Sequence, residues 1–260
     1  MSDWFHNLPI LWMSLIVFGL TYLITAAIHL LVTALAEGER GCAFKAISPG
    51  MLPPLGIIFG LFVAFIAAQV WTDNERANTA VDREASALRT VIVLAAAFPG
   101  EPETHFRELI RRHIEQAATQ EWPMMAQGTA TLRFTPPLLA EALQLTLALT
   151  SNSEGQKTAQ REIATALETA FDARRQRIII SQSHVNLVKW LCLFVQAAAA
   201  LLAIAMIHSD NPIASAVSLG LFATGVAASV LLIAAHDRPF TGEISVGPAP
   251  LLQIMPDANR

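Results

Sequence analysis

Side chains able to carry reaction chemistry are few in this sequence and poorly spaced for it. His105 and His113 flank Glu108 on an amphipathic stretch, but they lack the i, i+4 separation that sets a zinc-binding pair on one helix face, and no H-E-x-x-H occurs. There is no phosphate-cradling glycine loop and no exposed nucleophile beside an evident base, so an enzyme is the least supported class and no metal or other cofactor is expected. His29 is the one imidazole deep inside an apolar run. An ionisable group in such a place invites a functional reading, yet a neutral ring bonded to Thr25 or Thr33, each one turn away, accounts for it more simply.

The most regular pattern is apolar. In PPLGIIFGLFVAFIAAQVW (residues 53–71), Ile57, Leu61 and Phe65 recur every four positions and so stack in one row along a helix, with Ile58 and Phe62 beside them. In a lone subunit this row would face lipid. In a ring of identical subunits it would face the axis as successive collars, gating water and ions by dewetting. Gly56 and Gly60 form a G-x-x-x-G pair, extended by Val63 and Ala67, whose ordinary use is close packing against a neighbouring helix. Gly220, with Ala216, Ala223 and Ala227, forms a second small-residue stripe suited to packing on it.

Elements that position such a row must lie in a membrane. Of 260 residues 53% are hydrophobic and only 15% charged, with mean hydropathy +0.46, outside the range of an ordinary soluble domain. The stretches 10–36, 51–71, 190–208 and 212–235 contain no Asp, Glu, Lys or Arg. Each is close to or above the ~20 residues a helix needs to cross a hydrocarbon core. A mid-span charge costs roughly 2.5–3.5 kcal/mol on insertion scales, so four charge-free stretches predict four transmembrane helices.

Basic residues beside these spans set the expected orientation. Arg76, Arg83, Arg89, Arg174, Arg175, Arg177, Lys189 and Arg238 fall on one side, against Arg40 and Lys45 on the other. The long central segment and both termini are therefore expected in the cytoplasm. The first span has no Lys or Arg before it and is too long for a signal-peptide core. Cys42 and Cys192 are separated by most of the membrane, so no structural disulfide is expected.

The central segment is expected to be wholly helical. Val81, Ala85, Leu88, Ile92 and Ala95 recur at helical spacing, as do Phe106, Leu109, Ile110, His113, Ile114 and Ala117 in a second helix ending before Pro123. A third runs from about Pro137 to Thr150, and a fourth carries Ile163, Leu167, Ala170 and Phe171. No breaker interrupts the second span before Phe98-Pro99-Gly100, nor the fourth helix before the third span, so each is predicted to cross the interface unbroken. The expected organisation is a first transmembrane hairpin (1–71), a helical cytoplasmic domain (72–186), a second hairpin (187–235) and an extended cytoplasmic tail (236–260).

Pro54-Leu55-Gly56-Ile57, then Gly60-Leu61-Phe62, Asn78, Ala80, Val81, Glu84-Ala85 and Leu88, resembles the second transmembrane helix of bestrophins. Asp237-Arg238-Pro239-Phe240-Thr241-Gly242 is similar to the Pro-Phe-Gly element after the last bestrophin helix. With Glu121-Trp122-Pro123 and Phe240 to Val246, the chain looks most like bacterial bestrophin-like membrane proteins over nearly its whole length. The resemblance implies an all-α, four-span channel, a homo-oligomer of five subunits in a bacterial inner membrane. Its second helices would line the pore, with Ile57, Leu61 and Phe65 as the neck. Where bestrophins have an Arg and paired tryptophans after the neck, this chain has Gln69, Val70 and Trp71, and the tail lacks an acidic cluster for calcium.

Gln69, Asp73 and Glu75 would stand at the pore mouth, and rings of the two carboxylates would favour cations, unless they are ordinary solvated charges offset by Arg76. Residues 72–186 carry 12 Lys and Arg against 14 Asp and Glu, a balance unsuited to nucleic acid. The expected partners are the lipid bilayer, further copies of the chain and inorganic ions. The alternative is a non-conducting scaffold or sensor whose helical domain binds another protein.

Overall fold

The computed structural model describes residues 3–36, 44, 48–133 and 135–257; Arg40, Cys42 and Lys45 lie outside these residues. Helices make up the regular structure, and no strand occurs among the described residues. The chain divides into two units, one of Met1–Thr72 with His184–Asp237 and the other of Asp73–Ser183 with Arg238–Arg260.

The first unit contains α1 (Asp3–His6), α2 (Ile10–Leu35), the first half of α3 (Leu52–Ala95), α8 (Leu187–Ile207) and α9 (Pro212–His236). These last four helices are each long and apolar enough to cross a membrane. Pro53 and Pro54 sit in the first turn of α3, where backbone N–H groups have no intrahelical partner and a missing one costs nothing. From there α3 runs for 44 residues, about 66 Å at the α-helical rise, because nothing in its sequence interrupts it. It stops at Phe98-Pro99-Gly100, where Gly100 takes φ +98°, a conformation open to a residue without a Cβ.

Met13 and Val17 of α2 pack with Phe59, Ile66 and Val70 of α3, Leu193 of α8 and Val226, Ala227 and Ile233 of α9. A second cluster holds Val32, Leu201, Ala205, Leu219 and Ala223. His29 does not bond Thr25 or Thr33 through its ring. Its Nδ1 lies 3.2 Å from the buried Ser215 hydroxyl of α9, while the Thr33 hydroxyl donates to the His29 carbonyl. The helix-to-helix bond satisfies the imidazole better because threonines within α2 already donate to carbonyls one turn back.

The expected unbroken helix into the third span is not found. The preceding helix ends at Ser181 and α8 starts at Leu187. Asn186 caps α8 by accepting the Lys189 N–H at 3.0 Å, and the Val185 N–H donates to Asp237 Oδ1 at 2.6 Å. The asparagine cap starts the new helix, and the break needs neither glycine nor proline.

The second unit is built from the rest of α3, α4 (Glu101–Gln116), α5 (Trp122–Ala126), α6 (Pro137–Ala148), α7 (Glu154–Ser181) and α10 (Ala249–Gln253). The apolar periods seen in the sequence face its core: Val81, Leu88, Phe106, Ile110, Ile114, Ile163 and Leu167 are all buried. Each such side chain contributes about 1.5–3 kcal/mol relative to exposure.

Helix α4 ends at Gln116, before Pro123 as expected, but the helical path goes on past it. Residues Ala117–Glu121 form a π-helical turn in which the Trp122 N–H reaches back five residues to the Ala117 carbonyl, and α5 follows with Pro123 in its first turn. The wider turn accommodates a proline that has no N–H to give. The C-terminal segment is likewise less extended than expected, since it carries α10 and returns onto the helices of this unit. The Trp122 indole N–H donates to the Val246 carbonyl at 2.9 Å, the Thr241 hydroxyl to the Ala126 carbonyl at 2.8 Å, and Phe240, Val246 and Leu251 are buried. Truncation after Phe240 removes the buried residues Thr241, Val246, Leu251 and Pro256 and the indole's acceptor. The truncated protein is expected to melt several degrees below the full chain by tryptophan fluorescence in detergent, as loss of about 3–5 kcal/mol predicts.

Candidate functional site

Helix α3 presents Ile57, Leu61 and Phe65 on one row, with relative exposures of 61, 67 and 61%. Ile58 is also exposed and Phe62 half-buried. The row therefore lies outside the core of the chain, which α3 joins through Phe59, Ile66 and Val70 instead. Gly56, Gly60 and Gly220 have no described atom within 4 Å of a Cβ built on them, so their small surfaces are not used in close contacts inside the chain. Near Gly56 and Gly220 the contact between α3 and α9 is made by aromatic rings, Phe59 and Phe222, with centroids 5.6 Å apart.

One turn beyond Phe65 the row becomes polar. Gln69 Oε1 accepts a hydrogen bond from the Lys189 ammonium in the first turn of α8, and the same Nζ lies 5.7 Å from the Phe65 ring centroid. On the continuing helix, Asp73 is half-buried, 3.7 Å from Arg76, and Glu75 is exposed.

A separate constellation lies in the core of the second unit. Glu84 of α3 is fully buried and accepts three bonds, from Arg177 Nε at 2.9 Å and Nη2 at 3.2 Å and from His113 Nε2 at 3.0 Å. Arg177 Nη2 also donates to Glu121 Oε2 at 2.9 Å, and Arg174 donates to Glu121 Oε1 through Nε and Nη2 at 2.8 and 2.6 Å. The Arg177 guanidinium sits 4.4 Å over the Trp122 ring. The π-helical turn spans Glu121 and leads directly into Trp122, so this local widening brings both residues to the arginines.

Two arginines, two carboxylates and one imidazole leave few polar atoms without partners, the condition under which buried charge is tolerated. Burial by itself would raise the Glu84 pKa, but Arg177 and then the His113 hydrogen bond outweigh it and lower it from 4.5 to about 2. Glu121 is also lowered, because Arg177 and Arg174 outweigh its desolvation.

The sign of the pH effect follows. Glu84 takes up a proton more readily unfolded than folded, so its stabilisation is fully present above pH 4.5 and is lost as pH falls from 4.5 toward about 2. The contribution is roughly 3 kcal/mol. Melting curves are expected to fall across that window in the wild type, with a smaller slope in Glu84→Gln.

Sequence reasoning did not single out this cluster as a site. Its signal was present, since Glu84 falls within the apolar period of Val81, Ala85 and Leu88, and Arg177 within that of Ala170, Ala173 and Ile178. A charge on the core face of each of two helices implies that they meet. Conversely, His105 and His113 do not converge: His105 pairs with Glu141 at 3.3 Å on the surface. No group of metal-binding side chains occurs among the described residues.

No curated protein matches the chain in sequence. Among solved structures it is similar to a bacterial bestrophin homologue from Klebsiella pneumoniae carrying an isoleucine-to-threonine mutation, with TM-score 0.73, 13% identity and coverage of 92% of this chain and 97% of that one. A structure of the Klebsiella pneumoniae homologue solved by zinc phasing gives TM-score 0.72 at 12% identity, covering 91% and 95%. A structure described only as a membrane protein with a glycine-to-alanine change gives 0.68 at 14%, covering 93% and 94%. At these identities the likeness shows a shared all-α fold. The model of the Bestrophin-like domain family matches residues 10–251, so this multi-pass membrane protein belongs to the Bestrophin-like family.

Proposed function

We propose that the protein is an ion channel rather than an enzyme, assembled as a homopentamer around an axial pore lined by α3. Ile57, Leu61 and Phe65 form an apolar neck, flanked by Ile58 and Phe62, and Gln69, Asp73 and Glu75 stand toward its inner mouth. Gly56, Gly60 and Gly220 serve close contacts between helices of adjacent subunits. The protein resides in a bacterial inner membrane with both termini and the second unit in the cytoplasm, and its partners are lipid, further copies of itself and inorganic ions.

The observation that carries this reading is the row itself. Three large apolar side chains in register remain outside the subunit's core, and the row continues directly into Gln69 with the Lys189 ammonium bonded to it. A row of collars leading to a polar mouth suits a path that wets and dries.

The test is single-channel recording of the purified protein in a planar bilayer under a KCl gradient. Discrete currents support the channel. Silence from an oligomer shown intact by light scattering would instead favour a non-conducting scaffold or sensor.

A further inference from the structure

Lys189 is an unusual residue for its position. It lies in the first turn of α8, three residues after the Asn186 cap, where the helix dipole favours acidic side chains and disfavours a cation. Its side chain is half-buried, and no described carboxylate forms an ion pair with it. The ammonium is bonded instead to the Gln69 amide oxygen and placed 5.7 Å from the Phe65 ring.

An ammonium has only donors, so the bond fixes the Gln69 carbonyl toward Lys189 and leaves the Gln69 NH2 group and the remaining ammonium hydrogens as further donors. The pair thus carries net positive charge and N–H groups with no ion-paired carboxylate among the described residues. An inorganic anion has the chemistry that complements it.

We propose that Lys189 is the charge-selectivity residue of the channel, a positive group beside the inner end of the neck that favours anions and opposes cations. The inference rests on the conducting reading of the Phe65 row. If Phe65 faces the axis, the ammonium adjoining its ring is repeated around the path, close to where ions shed water. Neutral Gln69 occupies the row position itself, so the charge is supplied from α8 rather than from the pore-lining helix. Asp73, one turn further along α3, has Arg76 at 3.7 Å, whereas no carboxylate among the described residues pairs with Lys189.

The experiment measures the chloride-to-potassium permeability ratio from reversal potentials in a KCl gradient. Wild type, Lys189→Met, Lys189→Arg and the charge-transfer variant Gln69→Lys/Lys189→Gln are compared, each confirmed as an oligomer. Lys189→Met is expected to lower the ratio about tenfold, while Lys189→Arg and the transfer variant stay near wild type. In the unmutated channel, raising salt from about 0.1 to 1 M should lower the ratio as screening shortens from roughly 10 to 3 Å, a readout independent of any variant's folding. Conduction by Lys189→Met at an unchanged ratio, or a wild-type ratio insensitive to salt, overturns the role of Lys189 and leaves the channel standing. Silence of the intact wild-type oligomer removes the conducting reading and this inference with it.

Discussion

Arg177→Met is expected to destabilise the protein by about 3–5 kcal/mol, because it leaves Glu84 and Glu121 without the cation both depend on. Methionine roughly fills the space, so the loss comes from uncompensated charge rather than from a cavity. The melting temperature in detergent should fall on the order of 10 °C. Exchanging both members of the central pair for apolar residues, as in Glu84→Leu/Arg177→Met, should recover part of the loss, since a buried ion pair replaced whole costs less than one broken by half. A single variant melting within a degree of the wild type would mean that Arg177 does not hold these helices together.

Leu61→Ala and Phe65→Ala are expected to act in the opposite sense, changing conduction while leaving stability nearly untouched. Both side chains are mostly exposed in the subunit, so truncation leaves no internal cavity. In the proposed neck each variant would remove a collar of apolar atoms, widening the path and weakening dewetting, which should raise open probability or conductance severalfold in single-channel records. Ile66→Ala is the internal control. Ile66 is fully buried one position from Phe65, and its truncation should cost about 2–5 kcal/mol and leave unitary conductance near wild type. Unchanged currents in Leu61→Ala and Phe65→Ala would remove the row from the conduction path.

The spans and most of the helices are legible in the sequence alone. Four charge-free stretches, the absence of a breaker in α3 and the stop at Phe98-Pro99-Gly100 are properties summed along the chain, and the free-energy cost of violating them is local. The same holds for the buried faces of α3, α4 and α7, where helical period sorts apolar from polar residues before any neighbour is known. Tertiary structure decided what depends on pairs distant in sequence. Glu84 meets Arg177 across 93 residues, Gln69 meets Lys189 across 120, and His29 meets Ser215 across 186. No local rule forecasts those partners, because the stabilisation of a buried charge or a membrane-embedded polar group belongs to the pair and vanishes when either member is considered alone. The break before Leu187 and the π-helical turn before Trp122 have the same origin. Asn186 and Pro123 permit those departures, but the Asp237 carboxylate and the two arginines make them favourable.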